Sequence, residues 1–171
     1  MIIFVTGGAR SGKSDFAQDL AEKRSGRRLF VATAEACDDE MRTRILNHKR
    51  RRGDRWDTVE EAIHLGKVMN TSAEGYDTVC IDCCTLWMSN LMGAYPQETE
   101  RAETVIDEFF AGLEGFKGTL IVISNEVGLG IVPDKMLARE YRDRLGFLNQ
   151  RMARRADRVY FMIAGIPLAV K

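Results

Sequence analysis

The sequence predicts an α/β fold in which helices flank both faces of a mostly parallel β-sheet. Two observations carry this prediction. Short apolar runs alternate along the chain with longer stretches of helical periodicity, as in sheets whose crossover connections are helices. One run, "LIVIS", is continuously apolar up to Ser124, as strands buried on both faces tend to be. The chain has 171 residues, and we expect residues 1–171 to form one domain that buries a substantial core.

Each predicted strand is a short apolar run. In order the strands are Ile2–Val5, Arg28–Ala32, Thr78–Asp82, Thr119–Ser124 and Val159–Ile163, with a short last one near Leu168–Val170. The segments between them have helical patterns: Lys13–Lys23, Asp39–Arg52, Val59–Met69, Leu86–Met92, about Glu98–Leu113 and about Asp134–Arg155. In the last helix one face is predicted to hold Leu137, Tyr141, Leu148 and Met152. Since such sheets bind ligands at the carboxyl ends of their strands, we expect functional residues directly after each strand.

Composition excludes several classes of protein. Basic and acidic residues number 25 each, so the net charge is zero, which argues against a general nucleic-acid coat. Four clustered cysteines are too few for a secreted disulfide framework, and three residues apart on a strand Cys80 and Cys83 would face opposite sides. No apolar run reaches the roughly 20 residues of a membrane span. The chain starts with a strand and without a basic leader, so we expect a cytoplasmic location.

The first strand runs into a phosphate-binding motif. "MIIFVTGGARSGKS" contains Gly7-x-x-x-x-Gly12-Lys13-Ser14, the full Walker A pattern in its required context of strand, loop and helix. Glycines let backbone N–H groups turn toward phosphate oxygens, and the following helix adds its N-terminal dipole. Lys13 can reach the β- and γ-phosphates, and the Ser14 hydroxyl can bind Mg²⁺. A P-loop nucleotide-binding site is therefore predicted.

A second Mg²⁺ group is expected at the end of a neighbouring strand. Asp82 ends "TVCID" and fits that role, with a helix N-cap as the alternative interpretation. After the fourth strand, "SNEVGLGIVPDK" supplies Asn125, Glu126, Gly128 and Gly130. These form a polar turn that a ligand could approach, and a plain strand–helix connection explains it equally well.

A histidine lies on the predicted helix 39–52. Met41, Ile45 and His48 share one stripe of that helix, and the cations Lys49 to Arg52 follow. His48 therefore lies on a face that packs or lines a cavity. Taken by itself it is either a hydrogen-bonded packing residue or an imidazole nucleophile beside phosphate-binding charges. His64, on the segment "EEAIHLGKVM", is interpreted as structural.

Three stretches together carry a resemblance to a known family. They are "TGGARSGKS", "DDEMRTRILNHKRRRGDRWDTVE" and "SNEVGLGIVPDKMLAREYRDRLGFLNQRMARRADRVYFMIAGI". The chain resembles the bifunctional adenosylcobinamide kinase/adenosylcobinamide-phosphate guanylyltransferases of cobalamin biosynthesis, over nearly its whole length and in order. The resemblance implies a three-layer P-loop NTPase fold similar to RecA and a homotrimer with active sites near subunit boundaries.

The resemblance also implies two reactions and a set of site residues. The enzyme phosphorylates adenosylcobinamide with a nucleoside triphosphate, ATP or GTP. It then forms a guanylyl-histidine with GTP and passes GMP on, giving adenosylcobinamide-GDP. His48 matches the guanylylated histidine, and Lys13 is the second catalytic residue. Mg²⁺ is assigned to Ser14 and Asp82. The positions that match nucleotide contacts are Gly7, Gly8, Ala9, Arg10, Ser11, Gly12, Lys13, Ser14, Ala32, Thr33, Ala34, Lys49, Arg50, Arg51, Arg52, Glu60 and Asp82.

Some positions depart from the family pattern. Members often carry two histidines in a row where this chain has Asn47 before His48, and some have Glu at Asp82. Two other functions remain as alternatives: a small-molecule P-loop kinase with a structural His48, and a RecA-like nucleotide switch that binds nucleic acid through Lys49–Arg52. Zero net charge counts against the switch, as does Trp56 being the single aromatic residue near the cations.

Overall fold

The computed structural model describes residues 1–34 and 53–171. Its strands are β1 (Ile2–Gly7), β2 (Arg28–Ala32), β3 (Asp57–Glu60), β4 (Thr78–Asp82), β5 (Thr119–Ile123), β6 (Arg158–Ile163) and β7 (Ile166–Ala169). Its α-helices are α1 (Lys13–Glu22), α2 (Leu65–Asn70), α3 (Cys84–Ala94), α4 (Thr99–Gly112) and α5 (Met136–Arg155), and a 3₁₀ turn spans Gly53–Arg55. None of the helices in these two ranges is long and apolar enough to cross a membrane.

One seven-stranded sheet has the order β3-β2-β4-β5-β1-β6-β7. All neighbouring strands pair in parallel except β6 and β7, which are antiparallel. The register sets Ile123 of β5 opposite both Val5 of β1 and Asp82 of β4. The carboxyl ends of β1, β5 and β4 therefore lie side by side. A mostly parallel sheet flanked by helices was predicted, and this is the architecture observed.

Apolar clusters cover both faces of the sheet. One face packs against α2, α3, α4 and α5, and the fully buried rings of Trp87 and Phe109 meet there edge to face with centroids 5.1 Å apart. The other face packs against α1 through Ala17 and Ala21, together with Trp56. All six residues of β1 are buried. This burial explains why β1, which carries the phosphate loop, reads as a continuous apolar run.

The prediction of a helix over Val59–Met69 was wrong in its first half. Residues 57–60 form β3, which pairs in parallel with β2, and the helix α2 begins at Leu65. The four-residue strand is mostly exposed and has one apolar residue, Val59, so it carries no periodic signal. Its position is fixed by contacts from elsewhere, because the Asp57 carboxylate accepts hydrogen bonds from Tyr76 and Arg27.

Three other predictions need correction, and a fourth falls outside the described residues. The last strand begins at Ile166, after a turn at Ala164 and Gly165 whose φ angles are 48° and 86°, as a tight hairpin requires. Leu137 is 67% exposed and does not share the buried face of α5. Cys80 and Cys83 were predicted to face opposite sides of a strand. Cys83 instead lies after β4, at the N-cap of α3, and both residues pack in the apolar cluster on the α1 face of the sheet. The predicted helix Asp39–Arg52 lies outside the described residues.

Candidate nucleotide-binding site

The phosphate loop, residues 7–14, joins β1 to α1, and its shape depends on glycine. Gly7 has φ 146°, and a Cβ there would lie 2.5 Å from the carbonyl oxygen of Met162. Gly12 has φ 89° and its Cβ would lie 3.3 Å from the Cα of Gly165. No side chain caps α1, so the first amide groups of this helix can serve an anion. The predicted motif therefore has the backbone that phosphate binding needs.

Lys13 is folded over this loop. Its Nζ donates a hydrogen bond to the carbonyl oxygen of Gly8 at 2.6 Å and lies 3.5 Å from the Ser11 hydroxyl. The residue is 8% exposed. Burial lowers the pKa of Lys13, although Cys83 and Asp82 act in the opposite direction. An ammonium group so desolvated interacts more strongly with a phosphate than one in water does.

Ser14 and Asp82 come together, as predicted for the two Mg²⁺ residues. The Ser14 hydroxyl donates to Oδ2 of Asp82 at 2.9 Å. Cys83, not Asp82, occupies the N-cap position of α3, so the capping alternative for Asp82 is not realised. A hydroxyl and a carboxylate are the hard oxygen ligands that Mg²⁺ prefers. The pair therefore fits a magnesium site.

The ends of β2 and β3 adjoin this pair. The register places Ala32 opposite both Glu60 and Asp82. The Thr33 hydroxyl donates to the carbonyl of Cys83 at 2.8 Å and accepts from its amide at 2.7 Å. Thr33 is fully buried, and its side chain ties β2 to β4. Among the predicted nucleotide contacts, Ala32, Glu60 and Asp82 thus share one edge of the sheet.

Comparisons with known proteins decide the family. The model described as "Cobinamide kinase / cobinamide phosphate guanyltransferase" matches residues 3–170. The chain is 39% identical over 167 residues to the bifunctional adenosylcobalamin biosynthesis protein CobP of Pseudomonas aeruginosa, covering 98% of this chain and 95% of the relative. It is 35% and 37% identical to the proteins named CobU of Escherichia coli and Salmonella typhimurium, over the full length of each. The chain belongs to this family.

A solved structure gives independent support for the fold. The chain is similar to a prototypical ATPase from the type III secretion system of pathogenic bacteria, with a TM-score of 0.56 and 12% sequence identity. The match covers 98% of this chain and 56% of the ATPase chain. At that identity the likeness concerns the fold alone. It confirms the predicted P-loop NTPase fold of this cobinamide kinase/guanyltransferase family member.

The predicted nucleophile and basic segment, His48 and Lys49–Arg52, lie outside the described residues. The described residues resume at the 3₁₀ turn Gly53–Arg55. There Arg55 forms a 2.9 Å ion pair with Glu22 of α1. Trp56 is buried and packs edge to face with Phe30. Gln18 and the indole of Trp56 also donate to Glu22, and together with Arg55 they lower its pKa. Arg55 and Trp56 are therefore anchored on α1, the helix that follows the phosphate loop.

Glu126 was predicted as part of a polar turn that a ligand could approach, but not among the nucleotide contacts. Its amide donates to the carbonyl of Gly7, at the start of the phosphate loop, over 3.0 Å. The polar turn of residues 125–130 therefore lies directly beside that loop. The sequence does contain a signal, since "SNE" follows a continuously apolar strand. What the sequence does not reveal is that this strand is the immediate neighbour of β1.

Proposed function

We propose that this protein phosphorylates adenosylcobinamide with a nucleoside triphosphate and then converts the product to adenosylcobinamide-GDP with GTP. Family membership supports the substrate and the two reactions. The observation that carries the proposal is the phosphate loop with Lys13 folded over it and the Ser14–Asp82 pair beside it. Those groups can bind a triphosphate, and a triphosphate is the donor in both reactions.

In the kinase step the acceptor hydroxyl attacks the γ-phosphorus and the nucleoside diphosphate leaves. Lys13 and the amide groups of residues 7–14 stabilise the charge that spreads over the transferred phosphoryl group. Ser14 and Asp82 would hold Mg²⁺, which when bound neutralises charge on the β- and γ-phosphates. Glu60 and residues 32–34 border the nucleotide at the sheet edge.

In the guanylyl step a ring nitrogen of His48 attacks the α-phosphorus of GTP. A phosphoramidate bond forms, the bond to the bridging oxygen breaks, and pyrophosphate leaves. A phosphate oxygen of adenosylcobinamide phosphate then displaces His48 and takes the GMP group. Lys49, Arg50, Arg51 and Arg52 follow the nucleophile in sequence and can neutralise the triphosphate. A covalent intermediate splits one displacement into two easier ones.

An experiment with labelled GTP tests the role of His48. The protein is incubated with Mg²⁺ and GTP labelled at the α-phosphate, then denatured. We expect retained label that is acid-labile, as a phosphoramidate is. His48→Ala should abolish the label, whereas His64→Ala, which changes the chain's other histidine at an exposed position, should retain it. Label that survives in His48→Ala would refute the covalent role and leave a P-loop kinase with a structural histidine.

The assembly and the setting belong to the same proposal. Residues 1–171 act as one nucleotide-binding domain, and three copies form a homotrimer whose active sites lie near subunit boundaries. ATP or GTP serves the kinase step, GTP serves the guanylyl step, and the enzyme works in the cytoplasm. The resemblance supports the trimer, and balanced net charge supports the expectation that nucleic acid is not a partner. Equilibrium sedimentation that finds a monomer would remove the trimer and leave the chemistry standing.

A further inference from the structure

The turn after β5 holds a carboxylate at the centre of the sheet's active edge. β5 pairs with β1 on one side and with β4 on the other. Residues that follow β5 therefore lie between the phosphate loop and Asp82. The amide of Ser124 donates to Val5 and the amide of Glu126 donates to Gly7, each at 3.0 Å. Glu126 is thus fixed next to the loop that binds the transferred phosphoryl group in the proposed reaction.

Side chains from helices α3 and α5 hold Asn125, the residue before Glu126. The amide of Asn125 donates to the Thr85 hydroxyl at 2.9 Å, and the Asn149 side chain donates to the carbonyl of Asn125 at 2.9 Å. Tyr141 donates to the carbonyl of Thr85 at 3.1 Å. Three consecutive residues, 124 to 126, therefore have backbone groups with defined partners. These contacts fix the backbone of the turn, as a residue that must stay within hydrogen-bond reach of a substrate requires.

Among the described residues, one of the two carboxylate oxygens of Glu126 accepts a hydrogen bond. One oxygen of Glu126 accepts a hydrogen bond from the amide of Gly128. A Cβ at position 128 would lie 2.9 Å from that oxygen, so glycine leaves room for the carboxylate. Within residues 1–34 and 53–171 the second oxygen has no hydrogen-bond partner. Glu126 is half-buried, so among the described residues this oxygen is partly shielded from water and can still accept a hydrogen bond.

We infer that Glu126 is the proton acceptor of the kinase step, an inference that rests on the proposed function. As the acceptor hydroxyl oxygen bonds to the γ-phosphorus, the bond from that phosphorus to the β,γ-bridging oxygen breaks. The hydroxyl proton passes to the Glu126 carboxylate and later to solvent. Asp82 has a different task, because Ser14 already binds it in the position suited to a cation. The structure thus separates two carboxylates by role.

The guanylyl step does not require this base. Its two nucleophiles are an imidazole nitrogen and a phosphate monoester, and neither has a hydroxyl proton to remove at neutral pH. A phosphate monoester has lost most of its second proton at pH 7, since that pKa is about 6. Loss of Glu126 should therefore affect one of the two reactions. A residue that merely supported the phosphate loop would affect both, because both use a triphosphate.

Glu126→Gln tests this inference. Glutamine keeps the side-chain length and an oxygen that can accept from Gly128, and it removes the capacity to take a proton. We expect the kinase kcat to fall about 10²-fold or more, the usual contribution of a general base. Guanylylation of the enzyme by GTP and transfer to adenosylcobinamide phosphate should stay within about threefold of wild type. Glu114→Gln, an exposed carboxylate before β5 at the opposite end of that strand, is the control and should change neither rate.

Two results would overturn the inference. The first is a Glu126→Gln kinase rate within threefold of wild type. The second is an equal loss of both reactions, which would make Glu126 a support of the loop. A different result would refute the proposed function itself: a wild-type protein that shows neither corrinoid phosphorylation nor guanylylation. A wild type that performs both reactions, with either result above for the variant, rejects the inference alone.

Discussion

The phosphate loop, residues 7–14, and the turn after β5, residues 125–130, lie side by side but are built in different ways. The first takes its shape from its own residues, because Gly7 and Gly12 adopt positive φ angles there. The second is held by side chains that are remote in sequence: Thr85 lies 40 residues before Asn125 and Asn149 lies 24 after it. A local motif and a tertiary arrangement thus meet at one hydrogen bond, from Glu126 to Gly7.

The two loops also differ in which of their residues are buried. In the phosphate loop residues 8–10 are exposed, but Ser11 and Lys13 are each 8% exposed. In the second turn Leu129 is 81% exposed, and Ile131, directly after the turn, is 96% exposed. Asn125 is held by side chains of α3 and α5, and Glu126 is held by its hydrogen bond to Gly7. This difference indicates where substitutions act: in the phosphate loop on backbone conformation, and in the second turn on the contacts that support it.

Gly7→Ala gives the largest expected effect on stability. The added Cβ would meet a backbone carbonyl of β6 at 2.5 Å and would force alanine into a φ of 146°. We expect the free energy of unfolding to fall by about 3 kcal/mol or more, measured by urea denaturation. Gly8→Ala is the matched control, since nothing lies within 4 Å of a Cβ there. Equal stability of the two variants would show that the loop does not depend on glycine at position 7.

Thr85→Val gives a smaller effect, confined to the second turn. Valine has the shape of threonine but cannot accept from the amide of Asn125, and an unpaired half-buried amide costs about 1–2 kcal/mol. We expect that loss of unfolding free energy together with a roughly tenfold slower kinase step, the size of effect that supporting residues have. Labelling by GTP should be unchanged. Thr85→Ser keeps the hydroxyl and should resemble wild type. A Val variant as stable and as active as the Ser variant would remove the supporting role of Thr85.

Much of the fold could be predicted from the sequence because its strands are buried. The predicted bounds Arg28–Ala32 and Thr78–Asp82 coincide with β2 and β4, since each is an apolar run that ends at a polar or small residue. β3 was missed because it is mostly exposed and is defined by pairing with β2. A short polar segment that becomes a strand by pairing with a distant part of the chain has no hydrophobic periodicity from which the strand could be predicted.

The candidate site likewise has residues that local sequence predicts and residues whose place depends on contacts distant in sequence. The phosphate loop and the approach of Ser14 to Asp82 follow from a local motif and from the rule that parallel strands end at one edge. The sequence predicted Glu126 only as part of a polar turn that a ligand could approach, because its place beside the phosphate loop depends on strand order. Thr33, which matched a nucleotide contact by position, also joins β2 to β4 through hydrogen bonds between its hydroxyl and Cys83.

Analysis of the corrinoid products tests the central claim most directly. Wild-type protein is incubated with adenosylcobinamide, Mg²⁺ and ATP, and the corrinoid is examined by mass spectrometry before and after GTP is added. We predict a gain of one phosphoryl group first and of one GMP group afterwards. Lys13→Ala should form about 10³-fold less of the first product, because it lacks the charge that stabilises the transferred group. Recovery of unchanged corrinoid from the wild type, or a full kinase rate in Lys13→Ala, would contradict the account.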